Sequence, residues 1–212
     1  MVYKRRIIVN LPNKLTLMRI ILIPFMMFFY LADFIPFGIG KIVAIVIFIL
    51  ASLTDLLDGK IARKYNLVTD LGKFLDPIAD KLLTATAFLL IMADHTIPAP
   101  WGVIVVAIII AREYTVSALR QIAATKGIVL AADMWGKIKT VVQMIALPMS
   151  MLVAYLNVCG FANATVILVF AIISYVLIGA ATLLTVMSGI HYLVKNRACF
   201  KDEKQENKTE NK

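Results

Sequence analysis

The sequence I-G-K-I-V-A-I-V-I-F-I-L-A-S-L-T-D-L-L, at residues 39–57, is apolar over most of its length and carries a carboxylate, Asp55, near its end. A helix that spans the hydrocarbon core of a bilayer needs roughly 17 to 25 such residues. Further apolar runs of similar length occur at residues 20–39, 74–93, 98–118, 138–156 and 165–190. The pattern predicts an all-α integral membrane protein with six transmembrane helices.

The composition agrees with a membrane protein. The chain has 212 residues, of which 61% are hydrophobic and only 17% charged, and its mean hydropathy is +0.86. Soluble domains are considerably more polar. Residues 1–14 place a basic cluster before apolar residues, which predicts a short N-terminal juxtamembrane helix at the interface. Residues 15–193 would form a six-helix membrane domain, and the polar residues 194–212 a disordered tail.

The distribution of the 22 lysines and arginines predicts the orientation of the chain. Cytoplasmic loops attract positive charge, and with six spans and a cytoplasmic N-terminus only Lys41 falls on the opposite side. Both termini are therefore expected in the cytoplasm, and a small basic chain of this kind fits a bacterial plasma membrane. The net charge of +9 is explained by this topology and by anionic lipid headgroups, so we expect no nucleic-acid partner.

Four carboxylates, Asp55, Asp58, Asp76 and Asp80, form the pattern D-x-x-D-G-x-x-A-R-x8-G-x-x-x-D-x-x-x-D. A single Asp near the centre of a membrane helix costs roughly 2.5 to 3.5 kcal/mol, so four together indicate a function. Spacings of three and four residues place each pair on one helical face. The polar residues between the pairs predict a cytoplasmic turn, so the two helices would meet as a hairpin.

The residue types in this pattern favour divalent cations. Four converging carboxylates would repel one another unless cations compensate their charge. No His or Cys accompanies them, which favours two Mg²⁺ ions, with Mn²⁺ as the alternative, over zinc. Two such ions suit an in-line displacement at phosphorus. A buried ion-pair network, or the proton relay of a cation-coupled transporter, is the competing interpretation.

The small residues and the arginine within the pattern favour phosphate chemistry over those alternatives. Gly59, Gly72 and Ala62 would let a ligand approach the backbone closely. Arg63 offers a planar, permanently charged group to a diphosphate. Near the start of the chain, Asn13 and Thr16 suit either a ligand pocket or a helix cap.

The stretch Asp55–Asp80 resembles the signature of the CDP-alcohol phosphatidyltransferase family at every position of the pattern. The resemblance implies a six-helix membrane enzyme, usually a homodimer, that transfers a phosphatidyl group from a CDP-linked lipid to a small alcohol and releases CMP. It implies that the four carboxylates hold two Mg²⁺ ions and that Asp80 is also the general base on the acceptor hydroxyl. The CDP-lipid site that it implies comprises Asn13, Thr16, Gly59, Ala62, Arg63, Thr69 and Gly72.

Three further segments bear on the acceptor. P-N-K-L-T-L-M-R at 12–19, A-R-E-Y-T-V-S-A-L-R at 111–120 and W-G-K-I-K-T at 135–140 resemble the bacterial branch of that family whose acceptor is glycerol 3-phosphate. The cations Arg112, Arg120, Lys137 and Lys139 would form a basic cup for the acceptor phosphate, with CDP-diacylglycerol as donor. Ordinary positive-inside anchoring is the other interpretation of these cations. Phosphatidylglycerol or another polyol phosphate remains an alternative acceptor, and Glu113 is expected to orient Arg112 or an acceptor hydroxyl.

Overall fold

The computed structural model describes residues 11–64, 70–125, 134–160 and 162–195, and this part of the chain is helical without any strand. Six long helices follow one another, and a short 3-10 helix at Pro36–Gly38 joins the first two. The helices are α1 Leu11–Leu31, α2 Ile39–Lys64, α3 Asp70–Ala93, α4 Trp101–Thr125, α5 Met134–Val158 and α6 Ala164–Lys195. The predicted all-α class is confirmed.

Five of these helices, α1, α2, α4, α5 and α6, are long and apolar enough to cross a membrane. The remaining helix, α3, has 24 residues, a length of about 36 Å at 1.5 Å per residue. Its N-terminal half carries Asp76, Asp80 and Lys81, which lower its hydropathy although its length suffices. The protein is a multi-pass membrane protein in which α3 carries half of the carboxylate pattern.

Two predicted helix boundaries were wrong. The first apolar run was expected to span residues 20–39, but α1 is Leu11–Leu31 and turns follow it. Asp33, Pro36 and Gly38 favour turns, while the apolar residues between them kept the hydropathy high. Residues 59–64, the first part of the cytoplasmic turn predicted between Asp58 and Asp76, instead belong to α2.

Several predicted segments fall partly or wholly outside the described residues. The turn at 65–69 is one of them. The juxtamembrane segment 1–14 is described only from Leu11, where α1 begins, and the tail 194–212 only to Lys195, where α6 ends.

The helices pack around an apolar core. Helix α1 lies against α2 and α3, α5 against α6 and α2, and α4 against α6 and α3. A side chain at Gly40 would collide with the carbonyl oxygen of Phe29, so the close approach of α1 and α2 requires glycine there. Fully buried members of the core include Met26, Phe48, Phe88, Leu147 and Met151.

Lys41, the exception to the predicted charge distribution, is buried in an ion pair. Its Nζ lies 2.6 Å from Asp94 Oδ2 and 4.4 Å from the centre of the Tyr30 ring. These contacts join α2 to the C-terminal end of α1 and to the residue that follows α3. The ion pair compensates the charge of this buried lysine, so Lys41 has a structural contact within the helix bundle.

The outer surface is apolar, as a lipid-facing surface must be. Along α6, the side chains of Leu168, Val176, Leu183 and Ile190 are all exposed. Their spacing of seven or eight residues places them on one face of the helix. An exposed apolar stripe of this length is stable in lipid and would be a liability in water.

Candidate active site

The N-terminal half of α1 presents three buried polar residues, Asn13, Thr16 and Arg19, at intervals of three residues. The Thr16 hydroxyl donates a 2.6 Å hydrogen bond to Asp76 Oδ1, and Arg19 Nη1 lies 2.5 Å from Asp55 Oδ1. Thr16 therefore serves the carboxylate site, and the interpretation of Thr16 as a helix cap was wrong. Arg19 was not predicted as a site residue, although its spacing from Thr16 placed it on the same face.

Helices α2 and α3 bring three of the four predicted carboxylates to one cavity of about 390 Å³. Asp55 comes from α2, while Asp76 and Asp80 lie one turn apart on α3. Lys81, Ser117 and Arg120 line the same cavity. The expectation that both halves of the pattern share one site is met by these three side chains.

The remaining residues of the predicted CDP-lipid site are described less completely. Asp58, Gly59, Ala62 and Arg63 lie within α2, but their side chains fall outside the described part of the structure, as does all of Thr69. Gly72 lies in the first turn of α3 and is buried. Asn13 is also buried, on the same face of α1 as Thr16.

The chemistry of the described carboxylates fits a divalent cation. Asp55, Asp76 and Asp80 offer only oxygen donors to their shared cavity, and Mg²⁺ prefers oxygen ligands. Among the residues that the structure describes, no three His, Cys, Asp or Glu side chains stand close enough together to hold one ion. Asp58, the fourth predicted ligand, is not among them, so the metal site stays a prediction supported by its donor set.

The four predicted cations Arg112, Arg120, Lys137 and Lys139 line a second cavity, of about 220 Å³, between α3, α4, α5 and α6. Asp80 lines this cavity as well, with Lys81 and Glu113. Five cationic side chains and two carboxylates therefore border the space as described. Such a surplus of positive charge in a concave site favours a small, multiply charged anion.

Two of these cations are held by neighbouring side chains. Lys139 Nζ donates a 2.7 Å hydrogen bond to Glu113 Oε1, and both residues are buried. Arg112 Nη2 donates a 2.7 Å hydrogen bond to the Ser188 hydroxyl on α6. Glu113 was expected to orient Arg112 or an acceptor hydroxyl, but its hydrogen-bond partner is Lys139.

Lys81 and Gln143, which line the cationic cavity, and Ser188, which contacts Arg112 from α6, were not predicted as site residues. Lys81 follows Asp80 directly, and its Nζ lies 3.5 Å from Asp80 Oδ2. Gln143 lies one helical turn after Lys139, so the i to i+4 spacing could have identified it. Ser188 has no local signal, because it lies 76 residues from its partner Arg112.

An apolar groove of about 270 Å³ between α2 and α5 reaches the same carboxylates. Phe48, Leu53 and Met144 line most of its length, and Asp55 and Asp80 line its polar end. This arrangement suits an amphiphilic ligand, with its apolar chain along the groove and its polar group at the carboxylates.

These features define a class of protein: a polytopic membrane protein with a carboxylate cavity, a cationic cavity and an apolar groove that share one aspartate. The sequence comparisons define the family. The profile of the CDP-alcohol phosphatidyltransferases matches residues 9–187, and the chain belongs to this family.

Individual relatives cover nearly the whole chain. A Bacillus subtilis (strain 168) protein is 42% identical over 203 residues, which are 91% of this chain and 97% of that protein. A Rickettsia felis protein is 36% identical (92% and 98% coverage), and one from Haemophilus influenzae is 38% identical (87% and 91%). All three are named CDP-diacylglycerol–glycerol-3-phosphate 3-phosphatidyltransferase.

Proposed function

We propose that this protein transfers the phosphatidyl group of CDP-diacylglycerol to sn-glycerol 3-phosphate, producing phosphatidylglycerophosphate and CMP for phospholipid biosynthesis. One observation carries the proposal: Asp80 lines the carboxylate cavity, the cationic cavity and the apolar groove at once. A donor lipid and an anionic acceptor bound in these spaces would meet at this carboxylate. Family membership and the names of the relatives support the same reaction.

The lipid donor suits the groove and the carboxylate cavity together. Acyl chains would lie along Phe48, Leu53 and Met144, which are apolar, and Leu53 is half exposed at the protein surface. The diphosphate would then lie beside Asp55 and Asp80, where the groove ends. Asn13, Thr16, Gly59, Ala62, Arg63, Thr69 and Gly72 would contact the CDP group.

Glycerol 3-phosphate suits the cationic cavity because of its size and charge. Its phosphate would contact Arg112, Arg120, Lys137 and Lys139, which surround a space large enough for a three-carbon phosphate. Arginine binds phosphate through several N–H groups in a plane, which fixes orientation as well as charge. The far end of the acceptor, its primary hydroxyl, would then point toward Asp80.

Asp80 would accept the proton of that hydroxyl as the oxygen attacks the phosphorus bearing the diacylglycerol group. The new phosphorus–oxygen bond forms while the bond to the CMP oxygen breaks, and CMP leaves. Divalent ions held by Asp55, Asp58, Asp76 and Asp80 would neutralise charge on the diphosphate and on the leaving CMP.

Orientation and assembly extend the proposal. The cationic residues lie at the end of the helix bundle that carries the carboxylates, so we place this end and both termini at the cytoplasm. A cysteine introduced at the exposed Phe34 should then react with an impermeant maleimide in intact cells, whereas one at Lys137 should react only after lysis. We also propose a homodimer, which chemical cross-linking in membranes would test.

The direct test is CMP release from CDP-diacylglycerol by the purified protein in detergent. Release should require Mg²⁺ and glycerol 3-phosphate, and chelation of divalent ions should abolish it. CMP release measured with phosphatidylglycerol, inositol or serine in place of glycerol 3-phosphate shows which acceptor the protein uses. Release with another alcohol but not with glycerol 3-phosphate would refute the assignment of the cationic cavity.

A further inference from the structure

Arg112 is held by a buried hydroxyl of α6 that is not among the described groups lining the cationic cavity. Its Nη2 donates to Ser188 Oγ at 2.7 Å, and Ser188 is only 1% exposed. The Ser188 hydroxyl in turn donates to the carbonyl oxygen of Thr185 at 3.2 Å. Because its proton is engaged with the backbone, the hydroxyl presents its lone pairs to the guanidinium.

The next residue of α6, Gly189, sets how closely the Arg112 side chain can approach the helix. A Cβ added at Gly189 would lie 3.0 Å from Arg112 Cγ and 3.5 Å from Nε. The aliphatic part of Arg112 therefore lies against the bare backbone of α6. Any side chain at this position would force Arg112 to move by several tenths of an ångström.

The rest of the guanidinium is available to a ligand. A guanidinium carries five N–H donors, and the hydrogen bond to Ser188 uses one of them. Arg112 Nε is buried and has no hydrogen-bond partner among the described residues. Nε lies beside Gly189 of α6. Arg112 also lines the cationic cavity, so the N–H groups on that side can donate to an acceptor phosphate.

We propose that Ser188 and Gly189 are positioning residues for acceptor recognition, which fix the Arg112 guanidinium where it contacts the acceptor phosphate. The proposal rests on the proposed function, in which that phosphate binds in the cationic cavity. Small displacements of a phosphate-binding arginine weaken binding because the group acts through directed hydrogen bonds. Neither Ser188 nor Gly189 is among the described residues that line the cationic cavity, so both would act through Arg112.

The test uses Gly189→Ala with Gly179→Ala as its matched control. Gly179 is on the same helix, and an added Cβ there meets nothing within 4 Å. We expect Gly189→Ala to raise the KM for glycerol 3-phosphate about five- to tenfold and to leave the KM for CDP-diacylglycerol within about twofold. Gly179→Ala should change neither constant. Ser188→Ala adds no bulk and should also raise the KM for glycerol 3-phosphate. It serves as the test variant if Gly189→Ala fails to fold.

An Arg112→Ala background decides whether the two residues act through Arg112. In that background, Gly189→Ala and Ser188→Ala should have no further effect on the KM for glycerol 3-phosphate. A persisting effect, or an equal rise of both Michaelis constants in the wild-type background, would overturn the positioning role. Failure of the proposed function is distinguishable, because the unmutated protein would then show no release of CMP that depends on glycerol 3-phosphate.

Discussion

The buried ion pair of Lys139 and Glu113 allows the effects of a mutation on stability and on acceptor binding to be measured separately. Both residues are expected to contribute to stability, but only Lys139 is predicted to bind the acceptor phosphate. Lys139 is 4% exposed and Glu113 is 8% exposed, with 2.7 Å between Nζ and Oε1. Removal of one member of a buried pair leaves a charge without its partner, at a cost of roughly 3 to 5 kcal/mol. Replacement of both members by neutral side chains of similar size costs much less.

The perturbation is Lys139→Met, Glu113→Gln and the double variant. The Glu113 carboxylate also borders a cavity lined by other cations, including Arg112, which partly compensate its charge. Lys139→Met should therefore lower the free energy of unfolding by about 3 kcal/mol, the lower end of the range for a broken buried pair. In a chain of this size such a loss lowers the midpoint of thermal unfolding by about 6 to 12 °C. The double variant should recover more than half of that decrease.

The three variants should rank differently in acceptor affinity than in stability. Lys139→Met and the double variant both lack the cation, so each should raise the KM for glycerol 3-phosphate at least about tenfold. Glu113→Gln retains the cation and should not weaken acceptor binding. The assays are thermal unfolding in detergent and CMP release at varied glycerol 3-phosphate. If the two single losses of stability add in the double variant, or if that variant regains a normal KM, the reasoning is refuted.

Three further predictions concern the carboxylates and the groove. Asp80→Asn should lower kcat by about 10² to 10⁴ while retaining binding of CDP-diacylglycerol, measured by equilibrium binding, because it removes the proposed base. Asp55→Asn or Asp76→Asn should raise the Mg²⁺ concentration for half-maximal activity. Asp76→Asn should leave the unfolding midpoint nearly unchanged, since the amide oxygen can still accept the hydrogen bond from Thr16. Asp55→Asn should also lower the midpoint, because it removes the carboxylate charge from the ion pair with the buried Arg19. An unchanged Mg²⁺ requirement in both variants would count against their role as ligands. Leu53→Trp should fill the groove and raise the KM for CDP-diacylglycerol but not for glycerol 3-phosphate, whereas Leu168→Trp on the lipid-facing surface should change neither.

The carboxylate site could be predicted because its parts are close in sequence and carry a physical cost. Asp76 and Asp80 are four residues apart on α3, so helical spacing places them on one face. Few residues separate α2 from α3, so the predicted hairpin brings Asp55 near them. Their polarity within apolar helices marks them as functional. The cations of the cationic cavity were likewise identifiable, because Arg112 and Arg120 on α4, and Lys137 and Lys139 on α5, all fall in the predicted cytoplasmic halves of their helices.

The contacts that support these residues could not be predicted, because they join distant parts of the chain. Arg19 and Asp55 are 36 residues apart, and Arg112 and Ser188 are 76 apart. Only the packing of α1 on α2 and of α4 on α6 brings these partners together. Local sequence patterns do not indicate which helices pack against one another. Hydropathy also missed the turns after Leu31, since it averages Asp33 with the apolar residues around it.

The central claim is that the acceptor oxygen attacks the phosphorus that bears diacylglycerol. The most direct test supplies sn-glycerol 3-phosphate labelled with ¹⁸O in its primary hydroxyl, followed by mass spectrometry of both products. The account predicts phosphatidylglycerophosphate that carries the label and CMP that does not. Label in a cytidine-containing product, accompanied by phosphatidic acid, would place the attack on the other phosphorus and contradict the account.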